Sequence, residues 1–487
     1  MNSNIKNIAR YSFCLFITLL FVSIFCTVSS PFTLDYTGDS SIFITIGRLF
    51  LEGKIPFVDF FDHKGPIIVL IQALGQLIAP FRDGLFVLET INLFVVLLIV
   101  DRLASLFLDR KAVITLLCLS LAFFSITISF GNTIEEFSLI PLFIALYITL
   151  KYYFVSQEKF FSKVFILGLC FSSLFWLRIN SAGAICGMSL FILTDCLLQK
   201  DFNKIKVFII SFLLAQLPLT VVFISYFYYH DALYELLYAS FLFNFKYVHL
   251  ASNNKHLWIT MVASIVLVWG TIMEYKKSKD KRIFLFTLSV LVCCALTCNI
   301  GYVFKHYLAL LMPVFVLGLL LVLKNIPPTR RITNYVFLGG LFLFSILIVT
   351  KMVRNIKEAP HNYSEYGKYK ELGSEILRNI PPNEQKEVYY YLVNSHFYPI
   401  LEISPNHKYF VLQEWQGSHD ATIYKEINEM MKQTPPRWVL MEKKEKEEWD
   451  NNEMRNKDFK EIIEKSYSLH AENEYFLLYR KKISSRS

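Results

Sequence analysis

The sequence predicts an α-helical polytopic membrane domain of about eleven transmembrane helices, followed by a C-terminal soluble α/β domain. Three observations predict this. Apolar residues form 54% of the 487-residue chain, with 45 Phe and 27 Tyr, above the share of an ordinary soluble domain. They gather in long runs up to about residue 353 and vanish afterwards. Short clusters of Lys and Arg recur between the runs, a signature of membrane topology.

A spanning helix needs roughly 20 mostly apolar residues. Candidate spans lie at about 11–30, 86–100, 112–130, 137–154, 164–178, 181–198, 207–228, 257–273, 284–301, 307–323 and 335–353. The first is preceded by Lys6 and Arg10 and lacks a small-x-small cleavage site, so it reads as an uncleaved anchor. With the N-terminus in the cytoplasm, alternate connections carry the basic clusters, among them Arg102, Arg110 and Lys111, and the run Lys276, Lys277, Lys279, Lys281 and Arg282. Residues 66–81 are also apolar, but they reach only roughly 24 Å as a helix, short of a bilayer core. Counting them as a span would invert every later loop, so they read as an interfacial helix at about 66–80. An odd number of spans then puts the soluble tail outside the cell.

The net charge of +9 does not indicate nucleic acid, because the basic residues punctuate apolar runs. All 9 Cys lie in apolar stretches, where Cys behaves as a small hydrophobe, and nothing suggests a disulfide framework.

The first outer connection, about 31–85, is the polar centre of the membrane part. It holds Asp35, Tyr36, Asp39, Asp59, Asp62, His63 and Lys64. Residues 40–52 read as an amphipathic juxtamembrane helix, with Ile42, Ile46 and Leu49 on one face and Ser41, Thr45, Arg48 and Glu52 on another. Gly53 suits its stop, and Pro56 cannot continue it. Asp39 stands where this helix begins. It reads either as a helix cap or as a general base facing a polar cavity. Lys64 reads either as a snorkelling side chain or as a phosphate ligand, and Asp62 and His63 as loop residues or ligands.

The second outer connection is short and carries Glu135 and Glu136, carboxylates that are costly beside a membrane unless they meet water, a cation or a partner. The third turn holds Trp176, Arg178 and Asn180. The connection before the tenth span holds Tyr302, Lys305, His306 and Tyr307. Outer cations run against the positive-inside bias; they either snorkel or bind an anionic phosphate.

The stretch GDSSIFITIGRLFLEGKIPFVDFFDHKGPIIVLIQALG resembles the first outer loop of GT-C-fold glycosyltransferases. It looks most like the branch containing protein O-mannosyltransferases and the aminoarabinose lipid A transferase. Asp39, Gly53, Pro56 and Lys64-Gly65-Pro66 carry the likeness, and TIEEFSLIPLFIALYI is similar to the second outer loop of that branch. The resemblance implies a GT-C-like fold, a polyprenyl-phosphate sugar donor, and catalysis at the extracytoplasmic face of a bacterial plasma membrane. It implies Asp39 as catalytic carboxylate, with Glu135 and Glu136 at further acidic positions. Lys64 would meet the donor phosphate, with Asp62, His63, Arg178, Asn180, Lys305, His306 and Tyr307 as further substrate-site candidates. Transfer would invert the anomeric carbon. Two departures from the pattern matter: Lys64 is followed by Gly and not Pro, and the two serines after Asp39 leave use of a divalent cation open. A glycan, lipid or protein acceptor fits equally. The rival reading is a transporter or flippase of lipid-linked glycans, which would put ionisable groups near the midplane; the polar sites here cluster at one membrane face, which favours an enzyme, with Glu89, inside the second span, as the main exception.

In the tail, 354–487, apolar runs at 388–393, 408–413, 437–441 and 474–480 read as strands. Helical patterns near 364–379, 420–433 and 444–465 alternate with them, giving a small α/β domain. It has no nucleophile elbow, metal-ligand spacing or phosphate loop.

Overall fold

A computed structural model describes residues 3–36, 38–247, 254–299, 303–327, 330–450 and 456–482. Tyr302 lies outside them. The first part is a helical bundle: α1 (Ser3–Phe25), α2 (Gly38–Leu51), α3 (Pro66–Ile78), α4 (Phe81–Ala104), α5 (Arg110–Thr127), α6 (Ile134–Phe154), α7 (Phe160–Arg178), α8 (Gly183–Leu198), α9 (Phe202–Leu214), α10 (Leu217–Tyr229), α11 (Leu233–Leu237), α12 (Phe243–Tyr247), α13 (Leu257–Ser278), α14 (Lys281–Cys298), α15 (Met312–Asn325) and α16 (Arg330–Arg378). Local signals set several starts. The side chains of Asp109, Thr133, Asp201 and Asp280 each accept a backbone N–H of the helix they open, and Pro66 begins α3 where no N–H is needed.

Among the described residues, ten helical stretches are long and apolar enough to cross a membrane. One of them, Phe160–Leu198, is a hairpin. Thr149 meets Met188 and Tyr153 meets Phe191, so α8 runs alongside α6. Between them α7 returns, bringing Arg178 back to Glu135 at the start of α6. The described residues therefore pass along the bundle eleven times. Large apolar side chains such as Ile209, Leu213, Val221 and Ile265 face outward, which only a lipid environment tolerates on this scale. The protein is a multi-pass membrane protein.

Two details of the bundle differ from the expected elements. The first helix ends at Phe25, not near residue 30, because Ser30 and Thr33 turn their hydroxyls back onto the carbonyls of Ser23 and Thr27. Helix α2 is not polar on its outer face: Ser41 and Thr45 are as buried as Ile46, and Thr45 bonds the Ser41 carbonyl. It is packed on both sides, against α3 and the tail. Its stop is as expected, at Gly53 with φ +84°.

The tail carries a four-stranded sheet, β1 (Val388–Tyr390), β2 (Trp438–Glu442), β3 (Tyr467–Glu472) and β4 (Phe476–Lys481), in the order β1-β2-β4-β3. β1 and β2 are parallel, with Tyr389 opposite Val439; the other pairs are antiparallel. Five helices cover it: α17 (Phe397–Leu401), α18 (Gln413–His419), α19 (Ala421–Gln433), α20 (Lys443–Asp450) and α21 (Lys457–Ser466). The expected strand at 408–413 does not form. Its backbone pairs instead with the first connection, Phe61 N–H donating to the Lys408 carbonyl at 2.8 Å, and Leu412 turns at φ +58° into α18. Strand β3 was not expected; it is an edge strand exposed along most of its length. The 353/354 boundary expected between the parts falls inside the unbroken α16, which runs from bundle into tail.

The sheet region sits on the end of the bundle that carries α2. Ser395 Oγ donates to the Gly38 carbonyl at 3.1 Å, Ser404 Oγ to Glu52 at 2.6 Å, and Arg48 to the Ile403 carbonyl. That docking roofs the loops between helices and makes a cavity there.

Candidate functional site

The site is built on the segment from Gly38 to Pro66. Asp39 lies in the first turn of α2, where the free N–H groups favour a negative charge. The loop after α2 returns along an aromatic floor, Phe57 on Phe227 and Phe61 on Phe243, and presents Asp62, His63 and Lys64 to the same space. Lys64 Nζ lies 3.1 Å from Asp62 Oδ1 and 3.9 Å from Asp39 Oδ2, over the ring of Phe43. Lys64 and Asp62 are almost fully buried, whereas the Asp39 side chain is 45% exposed, and that exposure is into the cavity.

Electrostatics separates the two carboxylates. Burial pushes Asp39 up, but the charges of Lys64, His306 and Arg178 outweigh it and hold the carboxyl below its ordinary value of 3.8. Burial pushes Asp62 up, with the negative charge of Asp39 adding to it against Lys64. Burial opposes the charge on Lys64 too, yet Asp39 and Asp62 raise it above its ordinary value. Burial, and then the Lys64 and Arg178 charges, hold the His63 imidazole well below 6.5, so it is neutral. Its ring packs against Phe243 and Trp415.

Gly65 explains one departure from the family pattern. Its N–H donates to the Leu177 carbonyl at 3.1 Å, which proline cannot do. A Cβ there would stand 1.9 Å from the Trp176 carbonyl oxygen. Gly65→Ala is therefore expected to push the Lys64 loop off the end of α7, with a lower thermal unfolding midpoint; an unchanged midpoint would remove this account.

The cavity, about 660 Å³, is also lined by Lys305, His306 and Tyr307, from the turn that precedes α15, and by residues 129–133. Among the described residues Lys305 makes no ion pair with a carboxylate. Arg178 stands behind this wall: its Nη1 pairs with Glu135 at 2.5 Å and its guanidinium stacks 4.0 Å from the Tyr307 ring. Glu135 is thereby held by an arginine and does not line the cavity. Glu136, expected beside Asp39, turns the other way. It is fully buried next to Glu89 and Cys26. Asn180 sits in the short turn after Arg178, half-buried and away from the cavity lining.

The Cys26, Glu89 and Glu136 cluster offers three ligand atoms within 4.8 Å of one another, the group among the described residues with the spacing to share a cation. Glu89 has a structural duty as well. It accepts the Asn132 N–H at 2.5 Å, and Asn132 Nδ2 donates to Ser40 Oγ at 3.0 Å, beside Asp39. The intramembrane carboxylate thus fixes the 131–133 loop that borders the cavity.

Sequence reasoning missed Lys255, His256, Leu412, Trp415 and Gln416, which also line the cavity. No motif marks them; the tail residues reach the site only because the sheet region docks.

No family model matches the chain, and no curated protein matches it. Solved structures do. ArnT from Cupriavidus metallidurans bound to undecaprenyl phosphate superposes with a TM-score of 0.61 at 9% identity, over 98% of this chain and 98% of that one. The chain has the GT-C fold. ArnT in the apo state gives 0.60 at 9% identity, again over 98% of both chains. The arabinofuranosyltransferase AftD from Mycobacteria overlaps at 0.38, with 10% identity over 98% of this chain and 40% of that one, and adds no argument. The likeness to ArnT extends through the tail, where the sequence resemblance was weakest.

Proposed function

We propose that this GT-C protein moves a sugar from a polyprenyl-phosphate carrier to an acceptor hydroxyl at the extracytoplasmic face of a bacterial plasma membrane. The observation that carries the reading is the pairing of Asp39 with Lys64 on one cavity wall, with Lys305 and His306 on the same cavity. A phosphate needs cations; an attacking hydroxyl needs a carboxylate. The likeness to a protein crystallised with undecaprenyl phosphate supports the donor class, and the Lys and Arg pattern supports the sidedness.

In this reading the donor phosphate lies against Lys64 and Lys305. The acceptor oxygen attacks the anomeric carbon from the face opposite the phosphate. The carbon–oxygen bond to phosphate breaks, its electron pair leaves on the phosphate, and Asp39 takes the hydroxyl proton. The product is inverted. The cations stabilise the departing charge where low-dielectric lipid strengthens them. Arg178 positions Tyr307 and adds charge behind the wall; Glu135 serves to hold Arg178.

The test supplies purified protein with radiolabelled polyprenyl-phosphate sugars and membrane extract, and asks which molecule becomes labelled. No labelled product from any donor would remove the reading. The same assay has an expected pH profile. Asp39 works as its anion and its value is depressed, so the acid limb lies below 3.8. Lys64 works charged and its value is raised, so the rate holds until pH exceeds 10.5, short of denaturation. An acid limb near neutrality would point to a different base.

A further inference from the structure

Two cavities meet at Asp39. Beside the cationic one lies a second, about 570 Å³, between the start of α2 and the sheet region. Asn394, Ser395, Trp415, Ser418, Tyr424 and Glu445 are among its walls. Gly38, Asp39, Ile42, Val411, Leu412 and Trp415 line both cavities and form the divide, with Asp39 its charged member.

Charge is segregated across that divide. The first cavity carries three lysines, Lys64, Lys255 and Lys305, and three histidines against two carboxylates, Asp39 and Asp62. Among the described lining residues of the second there is no Lys, Arg or His, and the charged side chains are Asp39, Glu414 and Glu445. Glu414 is held as an acceptor by Tyr391, by Tyr424 at 2.9 Å and by the Asn456 N–H at 3.3 Å, with no cation in ion-pair distance among the described residues. An anionic ligand would face like charge there, with no cation among the described lining residues. A hydroxyl-rich neutral group, or an amine, meets acceptors for its O–H and N–H donors, together with aromatic surface from Trp415 and Tyr424.

We infer that the second cavity is the acceptor site, and that the acceptor is a neutral or amino-bearing saccharide terminus, not a phosphorylated one. The inference rests on the proposed function for the role of Asp39. The acceptor hydroxyl reaches Asp39 from the acidic side while the donor phosphate waits on the cationic side. Its oxygen bonds to the anomeric carbon as the carbon–phosphate-oxygen bond breaks toward the phosphate, and its proton passes to Asp39.

The experiment uses the full chain in detergent. Equilibrium dialysis measures a neutral tetrasaccharide, its amino-sugar counterpart and its 6-phosphate, while retention of radiolabelled polyprenyl phosphate is measured separately. The neutral and amino probes are expected to bind at least about tenfold more tightly than the phosphate ester. Ser418→Trp, which fills the second cavity, is expected to weaken them about tenfold and leave polyprenyl phosphate retention unchanged. Glu445→Lys is expected to narrow the discrimination against the 6-phosphate. Equal binding of the phosphate ester, absence of saccharide binding, or indifference to Ser418→Trp overturns the inference. Lost polyprenyl phosphate retention with saccharide binding intact strikes the donor reading and supports the acceptor site.

Discussion

Asp39→Asn is expected to lower turnover by about 10²–10⁴-fold while the protein inserts and accumulates normally. The substitution keeps the shape and removes the ability to take a proton. It leaves Lys64 paired with Asp62 at 3.1 Å, so no buried charge is stranded. The new amide inherits a position 45% exposed to the cavity, where it is solvated. The carboxylate it replaces has a depressed value, so its stabilising contribution is present above 3.8 and fades as pH falls through the folded value. At neutral pH that contribution is lost in the variant, but it is shared with an intact Lys64–Asp62 pair. Polyprenyl phosphate should still bind, because the cations are untouched. Full transfer by the Asp39→Asn variant would remove Asp39 from the reaction; lost abundance would mean its role is structural.

What the sequence reveals and conceals at this site follows from what is local. Run lengths and basic clusters suffice for the spans because a bilayer imposes both. The convergence of Asp39, Lys64, Lys305 and His306 on one cavity follows from their order and sidedness, since loops at one end of a bundle must meet. Glu135 and Glu136 defeat the same logic. Thr133 caps α6, so both carboxylates fall in its first turn, where successive residues diverge around the helix. One meets Arg178 and the other turns to Glu89. The run 408–413 has the composition of a strand but no sheet neighbour to pair with, and it lines the cavity instead. Trp415 and Gln416 carry no signal at all, because only tertiary docking brings them there. Gly65 reads as a defect in a motif until the Trp176 carbonyl is seen against it.

Lys64→Met should be the more damaging change to the fold, and a second substitution separates its two effects. Lys64 is the counter-ion of both Asp62 and Asp39, and its side chain is only 6% exposed. Removing it strands Asp62, which is buried with one oxygen already lacking a partner. Breaking such a buried pair costs about 3–5 kcal/mol. Restoring neutrality with Asp62→Asn in the same chain removes the stranded charge, and Asp39 remains solvated by the cavity. The double variant is therefore expected to recover most of the lost unfolding midpoint. It should not recover transfer or polyprenyl phosphate binding, because the cation that meets the leaving phosphate is still missing. Thermal unfolding in detergent and retention of radiolabelled polyprenyl phosphate report the two effects independently. If the double variant regained donor binding along with stability, Lys64 would be a counter-ion for the loop alone, and the phosphate would have to be held by Lys305 and His306.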